Sequence, residues 1–155
     1  VVTNKQTRSA FAMKTINLSR VDKSQLKELQ TEIRILKQLD HPNVVRLFES
    51  YEDRHHIQMV MELCQGGELA KRRLNTESQV VAVVSQVLAA ILHCHNKGVV
   101  HRDLKLENIL FADASADSVV KVIDFGLSNT FKKLQVVPDA TARDRGRSRS
   151  RFSLK

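Results

Sequence analysis

The run His101-Arg102-Asp103-Leu104-Lys105-Leu106-Glu107-Asn108 is followed, sixteen residues after Asn108, by Asp124-Phe125-Gly126. Asn108 and Asp124 offer carboxamide and carboxylate oxygens, the hard donors that Mg²⁺ prefers, while Asp103 supplies a carboxylate that can take a proton and Lys105 a cation two positions from it. Such a set suits chemistry in which negative charge moves and has to be neutralised by metal and cation. An isolated Asp or Asn in a loop usually caps a turn, but two such motifs in this order and spacing are too specific for that reading. Two other groups carry ligand-type side chains, His55-His56 and His93-Cys94-His95. Neighbours at that spacing on a helix point apart and no further ligands accompany them, so no metal is expected there.

Elements on both sides must hold these residues in place. The segment SAFAMKTINL alternates around Lys14 and predicts a strand over about 9–17, with Phe11, Met13 and Thr15 on one face. Over 22–39, Leu26, Leu29, Ile33 and Leu36 recur at spacings of three and four, the stripe of an amphipathic helix that His41-Pro42 ends. The runs 44–51 and 56–63, separated by EDRH, read as an antiparallel hairpin. Thr76-Glu77-Ser78-Gln79 has the form of a capping box and opens a long, well-buried helix that stops at Gly98. Short strands follow at 99–101, 109–111 and 119–123, joined by polar loops.

The two motifs resemble the catalytic loop and the metal-binding D-F-G element of protein kinases, and Lys105 resembles the serine/threonine rather than the tyrosine branch. The resemblance runs from about residue 10 to 131. In KTINLSRV, LDHPNVVRLFESYED, VMELCQGGEL and KVIDFGLS it is nearest to the calcium/calmodulin-dependent group, particularly the calcium-dependent protein kinases. DFGLSN, and Leu106 where that family often has proline, are also similar to relatives of the AMP-activated kinase. The implied fold is α+β and protein kinase-like but incomplete. It would comprise a small β-rich lobe over about 9–63, a hinge at 62–68, and the start of a helical large lobe over 69–131.

The resemblance also implies roles. Asp103 would accept or orient the proton of a substrate hydroxyl, Lys105 would steady the transferring phosphate, and Asn108 and Asp124 would hold Mg²⁺. Lys14 would hold the α- and β-phosphates of ATP, with Glu32 as its ion-pair partner. The base would lie against Met61-Glu62-Leu63-Cys64, between Ala12 above and Leu110 below, with Met61 at the back of the pocket and Glu68 reaching the ribose. The expected partner is a protein with a Ser or Thr acceptor, with regulation by a domain or partner outside this chain.

Three departures limit that expectation. No G-x-G-x-x-G occurs, no Glu follows Glu107 so no A-P-E element is present, and the interval from Glu68 to His101 is short around 71–76. The chain therefore reads as a fragment truncated at both ends, with little activity alone and exposed apolar surface. A kinase-derived binding module without catalysis, or an interaction protein acting through a basic tail, are the alternatives.

Charge and composition add the rest. The 155 residues are 42% hydrophobic and 27% charged, an ordinary globular balance. Residues 132–155 carry +6 of the net +8, so the high charge describes an Arg/Ser-rich tail, expected to be disordered, and nucleic-acid binding by the body is not expected. The most apolar stretch, 80–92, is interrupted by Ser85 and Gln86, and no membrane span is expected. Two cysteines, Cys64 and Cys94, suggest a reducing compartment, the cytoplasm with the nucleus open.

Overall fold

A computed structural model describes residues 1–130; the basic segment expected to be disordered lies outside the described residues. The first half forms a four-stranded antiparallel sheet in the order β1-β2-β4-β3, with β1 at Val2–Thr3, β2 at Ala10–Asn17, β3 at Leu47–Glu52 and β4 at His56–Met61. The short β1, which the sequence pattern did not suggest, pairs Val2 with Phe11 and Thr3 with Ala10. In β2 the face that meets the interior is Ala12, Lys14 and Ile16. Phe11 of the alternate face packs edge-on against Phe48 at 5.0 Å on the outer side, while Met13 is exposed. Alternation predicted the two faces but not which one would be covered.

Helix α1, Lys23–Gln38, lies across this sheet. Asp22 caps it by accepting the Ser24 and Gln25 amides, and Gln25 Oε1 returns a bond to the Asp22 amide at 3.0 Å. Of the expected stripe Leu29 and Leu36 are buried, Leu26 and Ile33 are partly so, and the most enclosed residue is Ile35, fully buried. Pro42 follows, and residues 43–45 leave the helix to meet the second half of the chain. Asn43 Nδ2 donates to Gln86 Oε1 at 2.8 Å and to the Val120 carbonyl at 3.0 Å, and the Val45 amide donates to the Val122 carbonyl at 3.0 Å.

Helix α2, Glu77–Asn96, begins at Thr76, whose Oγ1 accepts the Gln79 amide. Gln79 Oε1 bonds the Asn75 amide, one residue outside the reciprocal box that the sequence suggests. The helix stops where Gly98 takes φ +72°, a backbone turn that suits glycine. The expected deep burial of α2 is corrected here. Only Val83, Ala90 and Cys94 are buried, while Leu88 and Leu92 are each 62% exposed. The helix is apolar nearly all round, so periodicity alone could not select its inner stripe. By length and composition α2 could cross a membrane, yet Gln86 ties it to Asn43 and to the Val120 amide.

Two small two-stranded antiparallel sheets complete the described residues. Strand β5, Val99–Val100, pairs with β8, Asn129–Thr130, and β6, Ile109–Phe111, pairs with β7, Val120–Val122. Leu36, Val44, Met59, Cys94, Val122 and Phe125 belong to one buried cluster, so both halves share a core. The connection between the halves is close-packed at Gly66, whose amide donates to the Phe111 carbonyl at 2.9 Å. A Cβ on Gly66 would stand 1.9 Å from the Asp113 carbonyl oxygen.

Candidate active site

A cleft of about 310 Å³ opens where the two halves meet. Ala12 and Lys14 of β2 form its roof, Glu32 and Leu36 of α1 its back, Met61 through Cys64 one wall, and Leu110, Ile123 and Asp124 its floor, with Val45 beside them. The strand register explains the roof, since Ala12 lies opposite Met61 and Lys14 opposite Met59, bringing the start of β2 to the end of β4. Nine of the residues assigned from sequence to the nucleotide thus share one cavity. Leu36, Val45 and Ile123 line it too, although the sequence marked them only as apolar members of a helix or strand.

Lys14 and Glu32 meet inside the cleft, with Nζ 3.1 Å from Oε1 and 3.4 Å from Oε2. The Glu32 side chain is 7% exposed and that of Lys14 43%, so the acid depends on the lysine for charge compensation more than the reverse. A Cβ placed on Gly126 would lie 3.8 Å from Glu32 Oε2 and 3.2 Å from Asp124 Oδ1. Only the Asp124 contact is tight, so a side chain at 126 would press on the Asp124 carboxylate and merely touch that of Glu32. Asp124 takes φ +60°, a strained conformation for a side chain of this kind, and its Oδ1 accepts the Gly126 amide at 3.2 Å.

The residues 101–108 form a second, adjoining cluster. Asp103 Oδ2 accepts from Lys105 Nζ at 2.8 Å and from Asn108 Nδ2 at 3.0 Å. The lysine bond, reinforced by Asn108, holds the Asp103 carboxyl below its ordinary pKa, and Asp103 in turn raises that of Lys105. Both groups are thereby kept ionised at neutral pH. Lys105 also feels the charges of Glu107 and Asp124.

A buried imidazole joins the two clusters. His101 Nδ1 accepts the Asp103 amide at 3.3 Å, and Nε2 faces the Ile123 carbonyl at 2.9 Å, so Nε2 carries the proton in this arrangement. Its ring lies 4.7 Å from that of Phe125. The Ile123 amide donates to the Asn108 carbonyl at 2.9 Å. Ile123 is therefore bonded from both directions by the 101–108 segment, and Asp124 is the next residue. Arg102, at φ +65°, donates from Nε to the Leu127 carbonyl at 2.6 Å.

Glu68 stands apart. It does not line the cleft, and its Oε1 pairs with Lys71 Nζ at 2.9 Å. Cys64 lines the wall with a thiol pushed up to about 11, chiefly by burial and then by the Glu62 charge, so it is not a nucleophile at neutral pH. Of the histidines without an assigned role, His55 and His56 lie at the β3–β4 turn, and His93 stacks at 5.0 Å on His41, away from the cleft.

The donor set fits a magnesium nucleotide. The Asn108 side-chain nitrogen Nδ2 is used toward Asp103, leaving its side-chain oxygen Oδ1 as the hard donor, and Asp124 keeps Oδ2 beyond the Oδ1 that binds Gly126. Lys14, Asn108 and Asp124 are the residues that would hold phosphates and metal.

Comparison with known proteins agrees with this geometry. The protein kinase domain family matches residues 1–143. Calcium-dependent protein kinase 5 of Plasmodium berghei is 42% identical over 130 residues, covering 81% of this chain and 23% of that protein. Calcium/calmodulin-dependent protein kinase type 1 of Macrobrachium nipponense is 46% identical over 116 residues, covering 70% and 34%. Calcium-dependent protein kinase 10 of Arabidopsis thaliana is 42% identical over 136 residues, covering 84% and 25%. The chain thus spans between about a quarter and a third of the length of these relatives. With the cleft, the Lys14–Glu32 pair and the linked 101–108 and 124–126 segments in place, the chain belongs to the protein kinase domain family, and within it is similar to the calcium-dependent and calcium/calmodulin-dependent serine/threonine kinases.

Proposed function

We propose that these residues hold ATP and Mg²⁺ for transfer of the γ-phosphoryl group to a serine or threonine hydroxyl of a protein. The observation that carries the reading is the pair of hydrogen bonds at Ile123, its carbonyl facing His101 Nε2 and its amide donating to the Asn108 main-chain carbonyl, which fixes the loop carrying Asp103 against Asp124. When bound, the metal neutralises phosphate oxygens and so supplies the electrostatic part of the chemistry. Asp103 keeps Oδ1 for the proton of the acceptor hydroxyl, while Oδ2 is occupied by Lys105 and Asn108. Lys105 is placed to follow charge from Asp103 toward the phosphate, and Lys14, oriented by Glu32, faces the phosphates from the roof. Leu36, Val45, Met61 and Leu110 give the base an apolar slot and exclude water from it.

The 155 residues contain no glycine-rich loop and no A-P-E element, the parts that cover the phosphates and dock the peptide in this family. Positioning supplies most of the acceleration in phosphoryl transfer, so we expect little peptide phosphorylation from these residues alone. Calcium control through a domain or partner outside the chain and a reducing, cytoplasmic or nuclear setting belong to the same proposal. The test is to join the chain to an upstream glycine loop and a downstream lobe taken from one of the relatives. Serine/threonine phosphorylation should appear and Asp103→Asn should abolish it. An inactive extended chain that still binds a protein partner would favour a non-catalytic kinase-derived module, and robust Asp103-dependent phosphorylation by the 155 residues would contradict the need for the added parts.

A further inference from the structure

Lys121 is the middle residue of β7, 9% exposed, between two fully buried valines. A lysine enclosed in this way needs a partner, because an unpaired ammonium in such surroundings is strongly disfavoured. Its partner is not on its own hairpin. Nζ reaches Glu62 Oε1 at 2.7 Å, on the first residue after β4, in the segment that connects the two halves of the chain. Glu62 is held from the opposite side as well, its amide donating to the Arg46 carbonyl at 2.9 Å. The Cys64 thiol registers both charges, Glu62 raising its pKa and Lys121 lowering it, so the pair stands beside the cleft wall.

Lys121 faces two parts of the site at once. It lies opposite Leu110, which forms the floor of the cleft, and its strand ends at Val122, two residues before Asp124. Lys121 holds the Glu62 carboxylate, and Glu62 is part of the wall against which the base is placed. Resting on the nucleotide reading above, we infer that Lys121 is a positioning residue: through its ion pair with Glu62 it sets the height of the Glu62–Cys64 wall over Leu110 and its distance from Asp124. It touches neither base nor phosphate.

A positioning role separates from a structural one by the ligand that feels it. The chain should be titrated by calorimetry with Mg-ATP and with Mg-tripolyphosphate, which carries the phosphates without the base. Lys121→Met should weaken ATP about tenfold and leave tripolyphosphate within about twofold, and Lys121→Arg should recover part of the loss. Because Lys121→Met alone leaves Glu62 without its cation, the double variant Lys121→Met/Glu62→Gln is measured beside it. Removing both charges should restore thermal stability while ATP stays weak. Recovery of ATP affinity in step with stability, or equal loss for the two ligands, would overturn the inference. Loss of both ligands in Asp124→Asn with wild-type behaviour in Lys121→Met would do the same while leaving the nucleotide reading standing. If the wild-type chain binds neither ligand, the nucleotide reading fails and takes the inference with it.

Discussion

Glu32 Oε1 lies 3.1 Å from Lys14 Nζ although the residues are 18 apart in the chain and sit on a helix and a strand. The carboxylate is almost wholly covered and the ammonium only half so, which makes the pair asymmetric. Lys14→Met should therefore cost about 1 kcal/mol, after allowing for the solvent that screens the lysine, and should weaken Mg-ATP binding severely. Urea unfolding and a nucleotide titration on the same sample check the two effects. Glu32→Gln should lower affinity less, because Lys14 keeps its charge and loses its orientation.

Asp124→Ala should abolish Mg²⁺-dependent ATP binding, which is itself expected to be weak without a covering loop. His93→Ala, packed on His41 and outside the cleft lining, should leave it intact. Thermal-shift titration with ATP in the presence and absence of Mg²⁺ reads both. A tight complex that forms without metal would contradict the roles given to Asn108 and Asp124.

The connection between the halves provides a steric prediction. Gly66→Ala should destabilise the chain by about 3 kcal/mol, because its Cβ would meet backbone that cannot move aside. Gly67→Ala should cost about 1 kcal/mol, since φ is +80° there but the space is open. Paired urea titrations of the two variants measure the difference.

The imidazole of His41 has its pKa lowered by burial first, then by His93 and Lys121, and its Nδ1 accepts the Asn43 amide at 3.1 Å. The folded state therefore prefers the neutral ring, and the unfolded chain takes up the proton first. Stability from this group is complete above about pH 6.5 and falls as pH drops through the depressed folded value. Urea midpoints at pH 7.5 and 5.5 should show a smaller acid loss in His41→Gln than in wild type.

Local chemistry was legible without a structure. The spacing of Asp103, Lys105, Asn108 and Asp124 carried the family, since loops that hold metal and phosphate require specific side chains at fixed chain distances. The strand around Lys14, the helix after Asp22 and the hairpin at 47–61 were legible because their periodicity lies within a few consecutive residues. What the sequence left open depends on residues far apart in the chain. Ile35 rather than Ile33 is the most enclosed residue of α1, and Leu88 and Leu92 of α2 face outward, because the covered stripe of an apolar helix is chosen by what packs on it. Strand β5 pairs with β8 rather than a nearer strand, and Leu36, Val45 and Ile123 reach the cleft from three separate elements. Lys121 looked like one polar residue inside the apolar run VVKVI; only the crossing of the Glu62 segment over β7 turned it into one half of a buried ion pair. Alternation tells how a strand divides its faces, but the partner of each face is fixed when the chain returns upon itself, and that return is a property of the tertiary structure.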